Sequence, residues 1–160
     1  MHLAAICLST FVAVSAALRI ESLHPGFAAA GRRGCLTAFT NTLNAPVVIW
    51  DCNLITEQNW TYTPAGTTNS VGQPIKLFSG SKCLDVKDGV NADGTKLQIY
   101  DCFNQAPNQQ WVANTDTTFQ WAGTNKCIDL TNGSITNGNQ LQLSTCDRNN
   151  VNQKYNSTLV

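Results

Sequence analysis

Two observations predict an all-β fold, a closed barrel with pseudo-threefold symmetry, for this chain of 160 residues. First, the sequence repeats itself three times, with the first cysteines of the copies at positions 35, 83 and 127 and hence periods of 48 and 44 residues. Second, Lys96–Tyr100 and Gln140–Ser144 alternate apolar and polar residues, which is typical of half-buried strands. A propeller takes about four to eight blades, so three units favour a barrel.

The repeat is clearest between the segments that begin at Gly80 and Thr124. Both contain Cys-x-Asp, a turn glycine, Leu-Gln, a second Cys and Gln-x-aromatic, without a gap. A more divergent copy begins at Gly34. We expect about four strands in each unit, the first strand near Ile20–His24, and no helix after the amino-terminal segment. The predicted units span about residues 19–73, 74–118 and 119–160.

Turns and core positions follow the same repeat. Pairs whose residues tolerate a positive φ separate the predicted short strands, at Asp88-Gly89, Asp93-Gly94, Asn132-Gly133 and Asn137-Gly138. The aromatic residues that close the three copies are expected to be buried, and they are Trp60, Trp111 and Tyr155.

The amino-terminal segment predicts export. Leu3–Ala17 is apolar or small and shorter than the roughly 20 residues of a membrane span. We therefore expect a signal peptide at residues 1–16, a domain at residues 17–160 and a secreted, extracellular protein. A second processing point at Arg32-Arg33 is less favoured, because cleavage there would remove the predicted first strand.

Cysteine spacing predicts disulfides and no metal or cofactor. Cys7 lies in the signal peptide, which leaves six cysteines in an exported chain. Six cysteines allow 15 pairings, and the repeat selects Cys35–Cys52, Cys83–Cys102 and Cys127–Cys146. These spacings match no zinc motif, and His24 is the one histidine after the signal peptide.

The composition predicts neutral partners. The 10 basic and 10 acidic residues cancel, which argues against nucleic acid and anionic membranes as partners. Only 12% of residues are charged, while Asn and Thr number 17 and 18. This composition suits secreted proteins that bind neutral polar ligands, although solubility alone also explains it. Glycosylation sequons begin at Asn59, Asn132 and Asn156, and occupancy is expected foremost at Asn132 and next at Asn156.

Together, Cys-x-Asp, the turn glycine, Leu-Gln-x-x-x-Cys and Gln-x-Trp closely resemble the ricin B-type lectin family, over roughly residues 19–157. The resemblance implies a β-trefoil and, as the expected type, a small secreted fungal lectin. It also implies a shallow sugar site in each competent repeat. That site combines the Asp of Cys-x-Asp, a Gln and an aromatic residue before the second Cys, and an Asn-Gln pair before the last aromatic residue.

Repeat two contains every part of such a site. Gln98 and Tyr100 are two residues apart on one strand, so they share a face, and the predicted bridge at Cys83 draws Asp85 towards them. We expect Asp85, as an exposed carboxylate, to accept from sugar hydroxyls and Tyr100 to stack on the ring. Asn108 and Gln109 are expected to donate hydrogen bonds. Taken singly, Asp85 is equally a turn-capping residue and Tyr100 an ordinary exposed aromatic.

Repeat three predicts a weaker site. It keeps the polar residues Asp129, Gln142, Asn152 and Gln153. However, Ser144 occupies the position of the stacking aromatic residue. A stacking ring is therefore missing unless Phe119 or Trp121 reaches across from a loop.

Repeat one predicts a structural unit. Trp50 is present, but Thr37, Val48 and Glu57 replace the Asp, the Gln and the Asn. Most of its hydrogen-bonding groups are therefore lost.

Other functions are less favoured by the residues. The sequence offers no Ser-His or Cys-His pair, and Asp88 is better interpreted as a turn residue than as the partner of Asp85 in a glycosidase. We therefore expect no enzymatic activity. The alternative to a lectin is a β-trefoil protease inhibitor or interaction protein that acts through an exposed loop at Thr63–Pro74. The sequence names neither the sugar nor the oligomeric state, and galactosides are a mild preference over plant polysaccharides.

Overall fold

The computed structural model describes residues 16–62 and 72–160. Apart from Ala16, the predicted signal peptide lies outside the described residues, as does the predicted loop at Thr63–Pro74 apart from its last three residues. The fold is all-β, as predicted, with about four strands in each repeat. Repeat one contains β1 (Leu18–Ser22), β2 (Gly34–Thr37) and β3 (Val48–Asp51), with one α-helix, α1 (Pro25–Ala29).

The other two repeats supply nine strands. Repeat two contains β4 (Lys76–Leu77), β5 (Lys82–Val86), β6 (Leu97–Asp101) and β7 (Trp111–Ala113). Repeat three contains β8 (Phe119–Trp121), β9 (Lys126–Asp129), β10 (Asn139–Gln140), β11 (Gln142–Thr145) and β12 (Tyr155–Leu159). Short 3-10 helices lie at Thr56–Gln58, Phe78–Gly80, Lys87–Gly89, Pro107–Gln109, Thr131–Gly133 and Val151–Gln153.

The strands form three antiparallel sheets, with the orders β10-β3-β2-β1-β12, β11-β9-β8-β7 and β4-β5-β6. In the first sheet, β1 at the start of the domain pairs with β12 at its end, from Leu18 opposite Leu159 to Ser22 opposite Tyr155. Among the described residues, no helix has the length and apolar character that crossing a bilayer requires.

A ring of backbone hydrogen bonds displays the pseudo-threefold symmetry. The N–H of Val47 donates to the carbonyl of Leu97 at 3.1 Å, Leu97 donates to Leu141 at 3.0 Å, and Leu141 donates back to Val47 at 2.9 Å. The turn before each of these three residues also donates a backbone hydrogen bond to the next repeat. Asn44, for example, has a φ of 62° and donates to the carbonyl of Ile99 at 3.0 Å. Each repeat therefore places its turn against the next repeat.

The closing aromatic residues are buried, as predicted, with exposed fractions of 0% for Trp60, 3% for Trp111 and 1% for Tyr155. The indole N–H of Trp60 donates to the Leu36 carbonyl at 2.9 Å, and that of Trp111 donates to the Leu84 carbonyl at 3.0 Å. These bonds matter because a buried N–H without a partner would destabilise the core.

The three predicted disulfides are all present, and each closes within its own repeat. The Cα atoms are 5.0 Å apart in Cys35–Cys52, 5.1 Å in Cys83–Cys102 and 5.0 Å in Cys127–Cys146. In each repeat, the first cysteine lies on the strand that carries the Cys-x-Asp position. The second cysteine follows the next long strand, the one before the Gln-x-aromatic motif. The bridges therefore hold together the two strands that would form a site.

The structure corrects two expectations near the amino terminus. The first strand begins at Leu18 and ends at Ser22, and His24 instead caps α1, where its Nδ1 accepts the N–H of Gly26 at 3.2 Å. The expectation of no helix was wrong because five residues are too few to display a 3.6-residue period. The helix buries Phe27 over Gly34, where a Cβ would lie 2.2 Å from the phenyl ring.

Both arginines of the dibasic pair belong to the folded domain. Arg32 pairs with Asp51 at 2.9 Å and donates to the Ile135 carbonyl at 3.0 Å, while Arg33 pairs with the buried Glu21. Cleavage after this pair would release β1 from its place between β2 and β12. The sheet order therefore favours a domain that retains these residues.

Candidate ligand-binding site

The centre of the candidate site is a carboxylate held by two amides. Asp85 on β5 lies directly opposite Gln98 on β6, and the Nε2 of Gln98 donates to its Oδ1 at 2.9 Å. The Nε2 of Gln109 donates to its Oδ2 at 3.1 Å. Asp85 is only 5% exposed, so the expectation of an exposed carboxylate was wrong. Cross-strand pairing and one amide from a neighbouring turn thus set its orientation.

Burial raises the pKa of Asp85 above its ordinary value, and the amides of Gln98 and Gln109 oppose that rise by bonding to the ionised form. The negative charge of Asp88 adds to the rise. The ionised carboxylate therefore lies where water screens its charge poorly, and hydrogen bonds to an ionised acceptor are stronger than those to a neutral one.

Gln109 is a buried residue whose side chain connects three parts of the site by hydrogen bonds. It is 1% exposed, and its Nε2 also donates to the Asp101 carbonyl at 2.9 Å, which engages both amide hydrogens. Its Oε1 accepts the backbone N–H of Phe103 at 3.1 Å. Gln58 and Gln153 make the corresponding bonds in the other repeats. The Gln of Gln-x-aromatic is therefore a scaffold residue in every repeat, which sequence reasoning did not recognise.

A pocket of about 390 Å³ opens beside Asp85, and we call it the Asp85 pocket. All five side chains predicted for repeat two contribute to it. Its lining is Asn44, Asp85, Asp88, Gln98, Tyr100, Phe103, Ala106, Pro107, Asn108 and Gln109.

Two aromatic rings line one side of the Asp85 pocket. Tyr100 is half-buried, and Phe103 is 58% exposed. Their ring centroids are 6.2 Å apart, with 39° between the ring planes. Such rings offer the flat apolar surface against which the C–H face of a sugar packs.

The side chain of Asn108 lines the Asp85 pocket and packs against Gly89. A Cβ on Gly89 would lie 2.7 Å from the Asn108 Oδ1, so any larger residue there would displace the amide. Gly89 has a φ of 63° and follows Asp88, whose φ is 57°, as the turn prediction requires. The turn therefore positions both Asn108 and Asp88 at the pocket.

Sequence reasoning missed five of the ten lining residues, and three of these, Asn44, Asp88 and Phe103, were missed for different reasons. Asn44 comes from repeat one, and only the ring of contacts between repeats brings it here. Asp88 was assigned to its turn alone. Phe103 directly follows Cys102, and this position was the available signal, because the disulfide anchors it at the end of the site strand.

Repeat three reproduces the carboxylate core. Asp129 is 3% exposed and accepts from the amides of Gln142, Asn150 and Gln153, each at 3.3 Å. Burial raises its pKa, and the same three amides oppose the rise. Asn152 lies over Gly133 much as Asn108 lies over Gly89. The predicted polar set of repeat three is thus brought together.

The stacking surface is what repeat three lacks. Ser144 stands at the position of Tyr100, and Phe119 and Trp121 are 3% and 6% exposed. Neither reaches across, because the ring of Phe119 packs against Tyr155 and the Trp121 indole donates to the Pro107 carbonyl at 2.7 Å.

A lysine also lies among the polar groups of repeat three. The Nζ of Lys96, from repeat two, donates to the Gln142 Oε1 at 3.2 Å and to the Thr131 Oγ1 at 3.1 Å. The Gln142 amide is therefore bonded on both its oxygen and its nitrogen by the protein itself.

Repeat one keeps the scaffold without the carboxylate. The Nε2 of Gln58 donates to the Thr37 Oγ1 at 2.9 Å, so a hydroxyl takes the place of Asp85. Trp50 packs edge-on against Phe39, with centroids 4.8 Å apart. Val48 at the Gln98 position is buried. The geometry agrees with a structural unit.

One group of possible metal ligands exists among the described residues, Glu21 with Cys35 and Cys52. The two cysteines are bonded to each other, and Glu21 pairs with Arg33. The donor set therefore does not suit a metal ion.

Comparison with known proteins supports the fold and the family. The model of the ricin-type beta-trefoil lectin domain matches residues 27–155. The ribosome-inactivating protein PMRIPt of Polygonatum multiflorum is 41% identical over 58 residues, which are 35% of this chain and 10% of that protein. The chain thus matches about a tenth of the length of this curated relative.

Two solved structures share the fold. The designed threefold-symmetric protein ThreeFoil superposes with a TM-score of 0.74 at 18% identity, over 90% of this chain and 99% of that one. A non-toxic homologue of type II ribosome-inactivating proteins from Momordica charantia, in complex with α-methyl-D-galactoside, gives 0.66 at 19% identity, over 88% of this chain and 47% of that one. With the family model covering most of its length, this chain belongs to the ricin-type β-trefoil lectin domain family.

Proposed function

We propose that this chain is a secreted lectin that binds neutral sugars mainly through repeat two. One observation carries the proposal: the Asp85 pocket places a buried, amide-held carboxylate beside the half-buried ring of Tyr100 and the exposed ring of Phe103. A sugar presents adjacent hydroxyls and an apolar C–H face, so it needs both kinds of surface. A type II ribosome-inactivating protein homologue with this fold is described in complex with a galactoside, which supports galactose-type ligands before plant polysaccharides such as xylan.

Each residue has a distinct role in this proposal. Asp85 accepts from two sugar hydroxyls, Asn108 donates, and Tyr100 stacks on the ring. Both amide hydrogens of Gln109 are engaged by Asp85 and Asp101, so Gln109 positions the carboxylate instead of donating to the ligand. Gln98 is likewise a positioning residue through its bond to Asp85.

The proposal predicts weak binding by one site. A monomer with one competent repeat should bind simple sugars with dissociation constants on the order of 0.1 to 1 mM and should agglutinate cells poorly. Submicromolar agglutination by a protein that light scattering shows to be monomeric would contradict this single-site assignment.

The test combines a glycan array with titration calorimetry on the parent and two matched variants. Asp85→Ala removes the carboxylate of the Asp85 pocket, and Asp129→Ala removes its counterpart in repeat three. A hydrogen bond to a charged group contributes about 1.5 to 3 kcal/mol, so Asp85→Ala should weaken binding at least about tenfold. Asp129→Ala should leave the affinity within about twofold of the parent.

Both variants leave buried amides without an acceptor, so we expect both to lower the free energy of unfolding by about 1 to 3 kcal/mol. This shared loss makes Asp129→Ala a control for destabilisation. If Asp85→Ala binds every ligand of the parent with unchanged affinity, the site is not in repeat two.

A further inference from the structure

A second hollow lies beside the Asp85 pocket and shares Phe103 with it. It has a volume of about 480 Å³, and we call it the amide pocket. The disulfide Cys83–Cys102 contributes to its lining. Four residues with amide side chains contribute to its lining, and they are Gln73, Asn104, Gln105 and Gln110.

Phe103 belongs to both pockets and is held there by the scaffold. Its backbone N–H donates to the Gln109 Oε1 at 3.1 Å, so the residue that orients Asp85 also fixes Phe103. The ring nevertheless remains 58% exposed. The core does not use this side chain, since it lies outside the buried apolar cluster.

The aromatic ring at this position is confined to repeat two. In repeats one and three the residue after the second cysteine is Asn53 or Asp147, and the backbone N–H of each makes the same bond to Gln58 or Gln153, at 2.8 and 2.9 Å. The scaffold therefore requires only the backbone there. An exposed phenyl ring is an addition that the fold does not explain.

The amide pocket has the chemistry of a sugar subsite. Amide side chains offer donors and acceptors without a net charge, and Lys76 is the one charged residue of its lining among the described residues. Gln110 is oriented by its bond from Nε2 to the Ala106 carbonyl at 3.2 Å, which leaves its Oε1 to accept. With the Phe103 ring, these groups again pair hydrogen bonding with a flat apolar surface.

We propose that Phe103 and the amide pocket form a second subsite, so that the ligand of repeat two is an oligosaccharide of neutral units that spans both pockets. The inference rests on the proposed function, because Asp85 holds the first unit. The ring of Phe103 packs against the following unit, and the amides of Asn104 and Gln110 bond to its hydroxyls.

The test compares chain lengths by titration calorimetry, with methyl galactoside, galactobiose and galactotriose in one series and methyl xyloside and xylotriose in the other. In the series that binds, the longest sugar should bind about five- to tenfold more tightly than the methyl glycoside. Asn104→Ala, which touches only the amide pocket, should reduce that advantage while leaving the affinity for the methyl glycoside unchanged.

Phe103→Ala should abolish the advantage of the longer sugar. Phe39→Ala is the matched control, because Phe39 is a comparably exposed phenyl ring, at 46%, in repeat one. The Phe39→Ala variant should bind both the methyl glycoside and the longer sugar with the affinities of the parent. In amide NMR spectra, the trisaccharide should shift the side-chain signals of Asn104 and Gln110, and the methyl glycoside should not.

Equal affinities for short and long sugars, with Asp85-dependent binding intact, would overturn the second subsite and leave the proposed function standing. The same conclusion follows if Phe103→Ala and Phe39→Ala behave alike. If neither series binds to the parent, the proposed function fails for these sugars and the second subsite fails with it.

Discussion

Repeats two and three share one hydrogen-bonded core and differ in what stands around it. In each, a buried aspartate accepts from a strand glutamine and from the glutamine of Gln-x-aromatic. The bonds are 2.9 and 3.1 Å at Asp85, but 3.3 Å at Asp129, where Asn150 is a third donor. Around Asp85 stand two aromatic rings, and around Asp129 stand Ser144 and the ammonium of Lys96.

The comparison separates scaffold from binding surface. The glutamine bonds recur even in repeat one, where Gln58 bonds to Thr37 instead of to a carboxylate. They therefore hold each repeat together whether or not it binds anything. Under the proposed function, repeats two and three differ in their capacity for a ligand because only repeat two has aromatic residues at the positions of Tyr100 and Phe103, which the scaffold leaves free to vary.

The largest expected effect comes from the shared scaffold. Trp111→Ala and Tyr155→Ala each delete a fully packed aromatic residue and should lower the free energy of unfolding by about 3 to 5 kcal/mol. The total free energy of unfolding of a small domain is little larger than this loss. Sugar binding should therefore disappear because the protein unfolds. Urea unfolding followed by fluorescence measures the loss. A folded Trp111→Ala protein with parental stability would show that this residue is not part of the common core.

A gain of function is expected next, from giving repeat three what it lacks. Ser144→Tyr together with Lys96→Ala adds the stacking ring and frees the Gln142 amide. Calorimetry should then show two sugars bound per chain instead of one. Lys96→Ala alone is the control and should keep one. A double variant that still binds one sugar, with its fold intact, would mean that the difference between the repeats lies elsewhere.

A pH dependence of intermediate size should distinguish binding from folding at Asp85. Burial raises its pKa, so the folded state holds the proton more tightly than the unfolded chain does. The resulting stabilisation is complete below the ordinary pKa and is lost as the pH rises through the raised one. Sugar binding needs the ionised form, so its affinity should fall as the pH is lowered through the same range.

Calorimetry between about pH 7 and about pH 4, with fluorescence to confirm folding, measures this dependence. Burial also raises the pKa of Asp129, which has no proposed ligand. The Asp129→Ala variant should therefore keep the pH dependence of binding. An affinity that stays constant over this range would mean that an ionised Asp85 is not the acceptor.

The smallest effect is expected at the glycosylation sequons. Asn132 and Asn156 are exposed, whereas the Oδ1 of Asn59 is buried without a partner, so occupancy is expected at the first two. Asn132 has a φ of 55° and takes the place of Asp88 in repeat three. Because repeat three lacks stacking rings, Asn132→Gln should change neither affinity nor stoichiometry in protein secreted from a eukaryotic host. Tighter binding by this variant would reveal a masked site there.

The sequence predicted those features of the fold that local sequence patterns determine. Alternation located β6 and β11 to within a residue or two, and the repeat selected the cysteine pairs, because both depend on short segments. It also predicted five of the residues that line the Asp85 pocket. It could not predict the burial of Asp85 or the arrival of Asn44, since both depend on packing between distant segments. The helix at Phe27 was missed because it makes a single turn.

The ring that joins Val47, Leu97 and Leu141 has no first or last member. The ends of the domain also meet, since the N–H of Val160 donates to the Ala17 carbonyl at 3.2 Å. The order in which the ribosome makes the repeats is therefore not needed for the final contacts. A circular permutant that joins these ends through a short linker and opens between repeats two and three should keep the ring, and it should keep Asn44 at the Asp85 pocket.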